Sequence, residues 1–497
     1  MMYGLEKSDS RVLAMKPVNK SGQPEAESVE RRRGAEGNMV EPHTCRTQSR
    51  ESVSLGLDRV RQAAKAGKKE KFTALFHHLT VDLLKEAYFW LKRGAAPGVD
   101  GLTWKEYEQD LEDNVVELHA RVHRGAYRAL PSRRKYIAKA DGRQRPLGIA
   151  ALEDKIVQRA LVEVLNAIYE EDFLGFSYGF RPGRSQHDCL DALAAGICRT
   201  KVNWILDADL RSFFDSVSHE WLIRFVEHRI GDSRVIRLIS KWLKAGVMED
   251  GVVTPTEVGT PQGAVASPLL ANIYLHYVFD LWANRWRERH AQGQVIIVRY
   301  ADDIVVGFEQ EAEAKRFLMD LQQRMEKFAL SLHPEKTRLI EFGRFAAQDR
   351  ARRGLGQPET FNFLGFTHIC GRTRKGDFQL KRKSRTDRAR ATLRKVKEAL
   401  RRRMHDSIPE QGQWLAQVVR GYFNYHAVPT NAKSIQRFRN LVTVLWRRTL
   451  RRRSQQDRSK WDRVAQLAAS FLPAVRILHP WPNARFAVNH PRWEPSA

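Results

Sequence analysis

Cysteine is scarce in this chain of 497 residues: four are present, Cys45, Cys189, Cys198 and Cys370, and none forms a CxxC pair. Such spacing fits neither a zinc ribbon nor a disulfide framework, and reduced structural thiols of a cytosolic protein are the expectation. Long apolar runs are missing as well. No stretch of 18 apolar residues occurs and no lipidation motif frames either end, so a membrane role is not expected. The first residues lack the charged start, apolar stretch and cleavage site of a secretion signal. Acidic residues are in deficit, 58 Asp+Glu against 85 Lys+Arg, a net charge of +27. An excess of that size speaks of partners rather than fold, and nucleic acid is the partner it favours.

The length calls for two or three domains. Residues 1–50 are polar and mixed in charge, without helical or strand periodicity, and read as a variable, poorly ordered leader. From Leu55 to Leu91 apolar residues recur at helical spacing, until Gly94-Ala95-Ala96-Pro97-Gly98 breaks the pattern. A second amphipathic helix is expected from about Trp104 to His123. Residues 131–150 read as a hairpin turning at Asp141-Gly142, and a helix from about Leu152 to Tyr169 follows. Strands are expected at Trp204–Leu210, Val295–Tyr300 and Ile304–Phe308. Phe317, Leu321, Met325 and Phe328 then share one helical face. Near residue 371 the composition changes: 15 Lys/Arg stand against 3 Asp/Glu between Arg372 and Arg403. The class is α+β, with a domain over 51–370, a basic helical domain over 371–480 and a short tail at 481–497.

Tyr300-Ala301-Asp302-Asp303, set between two apolar strands, carries the most information. Adjacent acids in mid-strand would point to opposite faces, whereas at the tip of a tight hairpin both reach one point in space. Burying such a pair is costly unless cations or hydrogen bonds compensate. Two Mg²⁺ about 3.5–4 Å apart, the arrangement of nucleotidyl transfer, are one natural compensation. A third carboxylate should come from a neighbouring strand; Asp207 and Asp209 both lie on one face there, and spacing alone does not choose between them.

Read together, three segments resemble the reverse transcriptases. Tyr300-Ala301-Asp302-Asp303 matches that family's signature box. Leu206-Asp207-Ala208-Asp209-Leu210-Arg211-Ser212-Phe213-Phe214-Asp215 resembles its first catalytic block, and Gly259-Thr260-Pro261-Gln262-Gly263 through Asn272 its template-positioning block. The resemblance spans roughly residues 55–480 and is nearest to proteins encoded by bacterial group II introns. It implies a right-hand polymerase, with fingers and a palm of antiparallel sheet, followed by an α-helical thumb with maturase function. It assigns catalysis and metal binding to Asp209, Asp302 and Asp303, with two Mg²⁺ as cofactor and Mn²⁺ as an alternative; Asp207 becomes a strand-end acid without an assigned use. Phe214 would pack under the sugar of an incoming dNTP and reject a 2′-hydroxyl. Lys139 and Arg145 would hold its triphosphate, although the usual Ile-Pro-Lys is here Ile137-Ala138-Lys139. Gln262 would lie near the template base, and Lys336 near the leaving pyrophosphate.

For nucleic-acid contact the expectation falls on Arg181 and Arg184 of Tyr178-Gly179-Phe180-Arg181-Pro182-Gly183-Arg184-Ser185, and on Lys381, Arg382 and Lys383. His187 and His219 are read as structural. The implied partners are intron RNA, a DNA primer or target and dNTPs, in a bacterial cytoplasm and on its nucleoid. The absence of paired cysteines near the end implies no His-Asn-His endonuclease. Rival readings are a splicing factor that binds RNA without catalysis, and a reverse transcriptase of a retron, diversity-generating or CRISPR-associated system. An RNA-dependent RNA polymerase is disfavoured by the bulk of Phe214.

Overall fold

The computed structural model describes residues 44–138, 144–453 and 460–489. Its strands are β1 (Ser132–Ala138), β2 (Gln144–Ile149), β3 (Trp204–Asp209), β4 (Val247–Glu249), β5 (Val252–Thr254), β6 (Val295–Tyr300), β7 (Asp303–Phe308), β8 (Arg338–Glu341), β9 (Phe361–Phe363), β10 (Phe366–Arg372) and β11 (Phe378–Ser384). They form three sheets, ordered β2-β1-β4-β5, β6-β7-β3-β8 and β11-β10-β9. The second, the palm, is antiparallel throughout. The first, the fingers, departs from the expected antiparallel pattern at one pairing, because β1 and β4 run parallel.

Apolar runs in β6 and β7 are continuous rather than alternating, and both strands are buried along almost their whole length. Helices Gln186–Arg199 and Glu311–Lys327 pack on the palm sheet. The second of these buries Phe317, Leu321 and Met325, as their spacing demands. Each such side chain, fully withdrawn from water, stabilises the fold by about 1.5–3 kcal/mol.

A separate core lies among helices Thr386–Arg402, Ile408–His426, Ala432–Leu450 and Trp461–Phe471, built on Leu400, Leu415, Val419, Phe438 and Trp446. The second of these helices opens with a capping box, Ser407 with Glu410. The Trp446 indole donates to Gln411 Oε1 at 3.0 Å, so the polar end of that buried ring is satisfied.

Several boundaries differ from the expectation. The helical pattern from Leu55 to Leu91 is two α-helices, Thr44–Ala66 and Val81–Trp90, with a 3₁₀ turn between them. Gly67 follows the end of the first, and Arg229 donates to the carbonyls of Ala64, Gly67 and Glu70, taking up acceptors that the helix leaves open. That first helix also begins inside the segment expected to be an unstructured leader, while residues 1–43 lie outside the described residues. The expected helix at 104–123 divides into Trp104–Glu108 and Leu111–His123. Trp104 and Tyr107, three residues apart on the first of these helices, both reach the ring of Tyr88, at 4.5 and 5.8 Å. The composition change at 371 falls within the β10–β11 hairpin, and the basic helices start only at Thr386. The supposed tail contains helix Pro482–Asn489, which packs on helix Gln186–Arg199 and places Phe486 in the main core.

Candidate active site on the palm

Tyr300 pairs with Asp303 across β6 and β7, so Ala301-Asp302 is a two-residue turn. Ala301 has φ +55, a left-handed conformation that costs an L-residue roughly 1–2 kcal/mol. Two contacts hold it there. Arg299 Nη1 donates to the Ala301 carbonyl at 2.9 Å. Gly179 presses against the same residue so closely that a Cβ would stand 2.2 Å from the Ala301 nitrogen, and only glycine fits.

Asp209 and Asp303 are direct cross-strand partners of β3 and β7. Opposed residues of an antiparallel pair project from the same face, with Cβ atoms about 4.5–5.5 Å apart. With Asp302 at the adjoining tip, three carboxylates gather at one end of the sheet. Asp303 faces the open cleft, yet burial of the surrounding atoms and then the charges of Asp302, Asp209 and Asp207 push its carboxyl up to about 7. Asp207, one face position deeper, is pushed up to about 6 by burial, with Arg338 opposing the shift. It sits opposite Arg338 of β8.

The donor set is the hard-oxygen kind that Mg²⁺ takes, and a cation would relieve the carboxylate crowding. Among the described residues no three His, Cys, Asp or Glu side chains already close on a single point. Asp209 is occupied differently: Lys336 Nζ donates to its Oδ2 at 2.8 Å. Both side chains are part-exposed, so the pair is weak and exchangeable.

Phe214 is half-buried on the turn after β3, where its neighbour Ser212 adopts φ +45. Its carbonyl accepts from Thr260 N–H at 2.7 Å, tying it to the 259–263 loop. The Gln262 carbonyl accepts from Gly148 N–H of β2 at 2.7 Å, and Gly263, at φ +108, would meet Gly148 O with any Cβ. Through these bonds the loop joins fingers to palm. Helix Ser267–Leu275 starts where the proline predicts; Gln158 Oε1 accepts from Val265 and Ala266 N–H at its head. Arg145 is exposed on β2, opposite Ile137. Lys139 and the Asp141-Gly142 turn lie outside the described residues.

Two of the expected nucleic-acid contacts, Arg181 and Arg382, are corrected. Arg181 is buried and forks onto Glu170 at 2.9–3.2 Å, while Nη1 donates to the carbonyls of Leu174 and Ser177. Arg184 donates to the Gly175 and Ser177 carbonyls, and burial lowers it to about 10. Arg382 is 2% exposed and ion-paired with Asp191 at 2.9 Å. Arg181 and Arg382 hold the fold instead of a phosphate, while Arg184, part-exposed, is tied to the loop through Nη1. Lys381 and Lys383, on the other face of β11, remain at the surface. His187 stacks on His479 at 3.9 Å, and His219 Nε2 lies 2.6 Å from the Gly259 carbonyl. One signal was overlooked: an arginine, Arg299, inside an apolar strand demands a buried carboxylate, and Asp280 is that partner.

Residues 137–368 match the family described as reverse transcriptase (RNA-dependent DNA polymerase). Protein YkfC of Escherichia coli K12 is 37% identical over 258 residues, covering 45% of this chain and 67% of that protein. The group II intron-encoded protein LtrA of Lactococcus lactis is 35% identical over 222 residues, covering 44% of this chain and 37% of LtrA. An uncharacterized 91 kDa protein in the cob intron of Schizosaccharomyces pombe is 36% identical over 220 residues, 44% of this chain and 27% of that protein. With the palm geometry, these matches define a right-hand polymerase of mixed α and β structure, and the chain belongs to the reverse transcriptase family. Its branch is that of the group II intron reverse transcriptases and maturases. The chain spans two thirds of YkfC but little more than a third of LtrA. Among the described residues no helix is long and apolar enough to cross a membrane.

Proposed function

We propose that this protein is the RNA-directed DNA polymerase of a group II intron, extending a DNA primer on intron RNA with dNTPs, and that it also binds the intron RNA to promote splicing and mobility. The observation that carries the reading is the cross-strand pair Asp209–Asp303 with Asp302 at the adjoining turn. These three carboxylates would hold two Mg²⁺, or Mn²⁺ in their place. When bound, the ions supply charge stabilisation to the attacking 3′-oxygen and the leaving pyrophosphate.

The remaining roles belong to the chain itself. Phe214 closes the space beneath the sugar and excludes a 2′-hydroxyl. Gln262 sits on the loop that joins fingers to palm and positions the template base. Lys139 and Arg145 bind the triphosphate, and Lys336 leaves Asp209 for the phosphates when nucleotide arrives. Lys381 and Lys383, with the basic helices after Thr386, grip the duplex and the intron RNA. The setting is a bacterial cytoplasm, with the nucleoid as the source of DNA targets.

Primer extension on an RNA template tests this, with dNTPs and NTPs in parallel. Mg²⁺-dependent extension with dNTPs alone is expected, lost in a double Asp302→Ala, Asp303→Ala variant that still binds RNA. Salt-sensitive RNA binding without extension would replace the polymerase reading with that of a splicing factor.

A further inference from the structure

Phe180 stands out once its neighbours are accounted for. Tyr178 and Gly179 before it are buried, and Arg181 after it is buried, yet Phe180 is 50% exposed. It has φ +60, where a bulky side chain costs energy. An exposed aromatic ring in a strained backbone needs a reason, and the surroundings show that the strain is held deliberately.

The clamp is built from buried polar groups. Arg299, with no exposed surface, donates to both oxygens of Asp280, to Asn272 Oδ1, to Ser177 Oγ and to the Ala301 carbonyl. Asn272 in turn donates to the Gly179 carbonyl at 2.7 Å. Arg181 secures the other side of the loop through Glu170, Leu174 and Ser177. Two left-handed turns, at Phe180 and Ala301, are thereby locked back to back. The product is a pair of rings, Phe180 and Tyr300, 6.5 Å apart and inclined at 45°, beside the tip that carries Asp302 and Asp303.

We infer that Phe180 is a primer-positioning residue: with Tyr300 it forms a two-ring platform for the terminal base pair of the primer–template duplex. This rests on the polymerase reading above. The strand end nearest the catalytic carboxylates is the primer 3′ terminus, because its 3′-oxygen must reach them. A ring fixed to the same clamp as the Asp302 turn would register that terminus against the carboxylates. Every base presents an apolar face or edge to such a ring, so the contact tolerates any sequence. The buried arginines that flank Phe180 thus act through it, by holding its backbone.

The test uses the full chain and a primer–template duplex with 2-aminopurine at the primer 3′ end. Phe180→Gly removes the ring and leaves a residue at ease with φ +60; Phe180→Tyr keeps the ring. The wild type and Phe180→Tyr are expected to change the fluorescence on binding, and Phe180→Gly to lose that change. In extension assays the primer KM of Phe180→Gly should rise about 5- to 100-fold, as for loss of one stacking contact, with kcat for dNTP addition changed far less. Its thermal midpoint should not fall, which a merely structural role would require. Should the glycine variant unfold, Phe180→Asn, also tolerant of positive φ, makes the same comparison. A glycine variant with wild-type primer KM and wild-type fluorescence overturns the inference. If the wild type extends no primer, the polymerase reading fails, while ring-dependent fluorescence would still uphold the platform and ring-independent fluorescence would still sink it.

Discussion

Arg299 and Asp280 meet through two hydrogen bonds, at 2.6 and 2.7 Å, with neither side chain exposed to solvent. Removing one partner leaves a buried charge uncompensated. Asp280→Ala should therefore destabilise the palm by about 3–5 kcal/mol, more than Asp280→Leu paired with Arg299→Leu costs per residue. Denaturant unfolding followed by tryptophan fluorescence would check this, since Trp282 and Trp286 flank the site.

Lys336 competes with metal for Asp209. Lys336→Ala frees that oxygen, so Mn²⁺ binding without nucleotide should tighten, by no more than about fivefold for a part-exposed pair worth up to ~1 kcal/mol. The KM for dNTP should rise in the same variant. Electron paramagnetic resonance titration of Mn²⁺ and steady-state extension measure the two effects. Unchanged metal binding would deny the competition.

Asp303 gives a pH dependence whose sign follows from its raised carboxyl, about 7 against the usual 3.8. Between those values the native state binds more protons than the unfolded one, so the metal-free protein loses stability as pH rises through that window. Mg²⁺ reverses the cause by neutralising the cluster. Its stabilising effect on the melting temperature should be larger at pH 8 than at pH 5.5, and Asp303→Asn should flatten the metal-free slope. A melting profile over pH with and without Mg²⁺ decides it.

Phe214→Ala should admit ribonucleotides. A gate that rejects a single hydroxyl sterically is worth about 10–100-fold, so the preference for dNTP over NTP should fall by that factor, with dNTP use less affected. Competition between the two nucleotides in one extension reaction reads this directly.

The basic strand β11 separates two kinds of arginine and lysine. Lys381→Ala with Lys383→Ala should lower RNA affinity and make its logarithmic salt dependence shallower by about 1–2 units. Arg382→Ala should instead destabilise the fold, because Asp191 loses a buried partner. Filter binding across a salt series, alongside melting curves, distinguishes them.

Local pattern carried far into this fold. The hairpin of β6 and β7 was legible because apolar runs flank a two-residue turn, and the helix holding Phe317, Leu321 and Met325 because its burial is one-sided. Asp209 could be chosen over Asp207 only through resemblance; in the structure its register opposite Asp303 gives a physical reason. What stayed illegible depends on distant partners. Arg181 and Arg184 look like solvent-facing cations in a turn, and nothing local says that Glu170 and the carbonyls of residues 174–177 await them. Arg382 finds Asp191 across 191 positions. The exposure of Phe180 is illegible for the same reason, since nothing local says that its neighbours Gly179 and Arg181 are both buried.

Asp191 has a second cation, Arg485 of the last described helix, 3.2 Å from its other oxygen. One carboxylate on a palm helix thus joins the β10–β11 hairpin and the helix Pro482–Asn489, elements separated by some hundred residues of basic helical domain. The protein is consequently not a string of exchangeable modules. A polymerase fragment cut at residue 371 would lose both arginines together with β11 and the last helix, which pack on the helix that carries Asp191, and a chain cut before residue 482 would lose one arginine. Neither piece should behave as an independent unit, and any graft of a foreign thumb onto this palm must bring its own answer to that single acid.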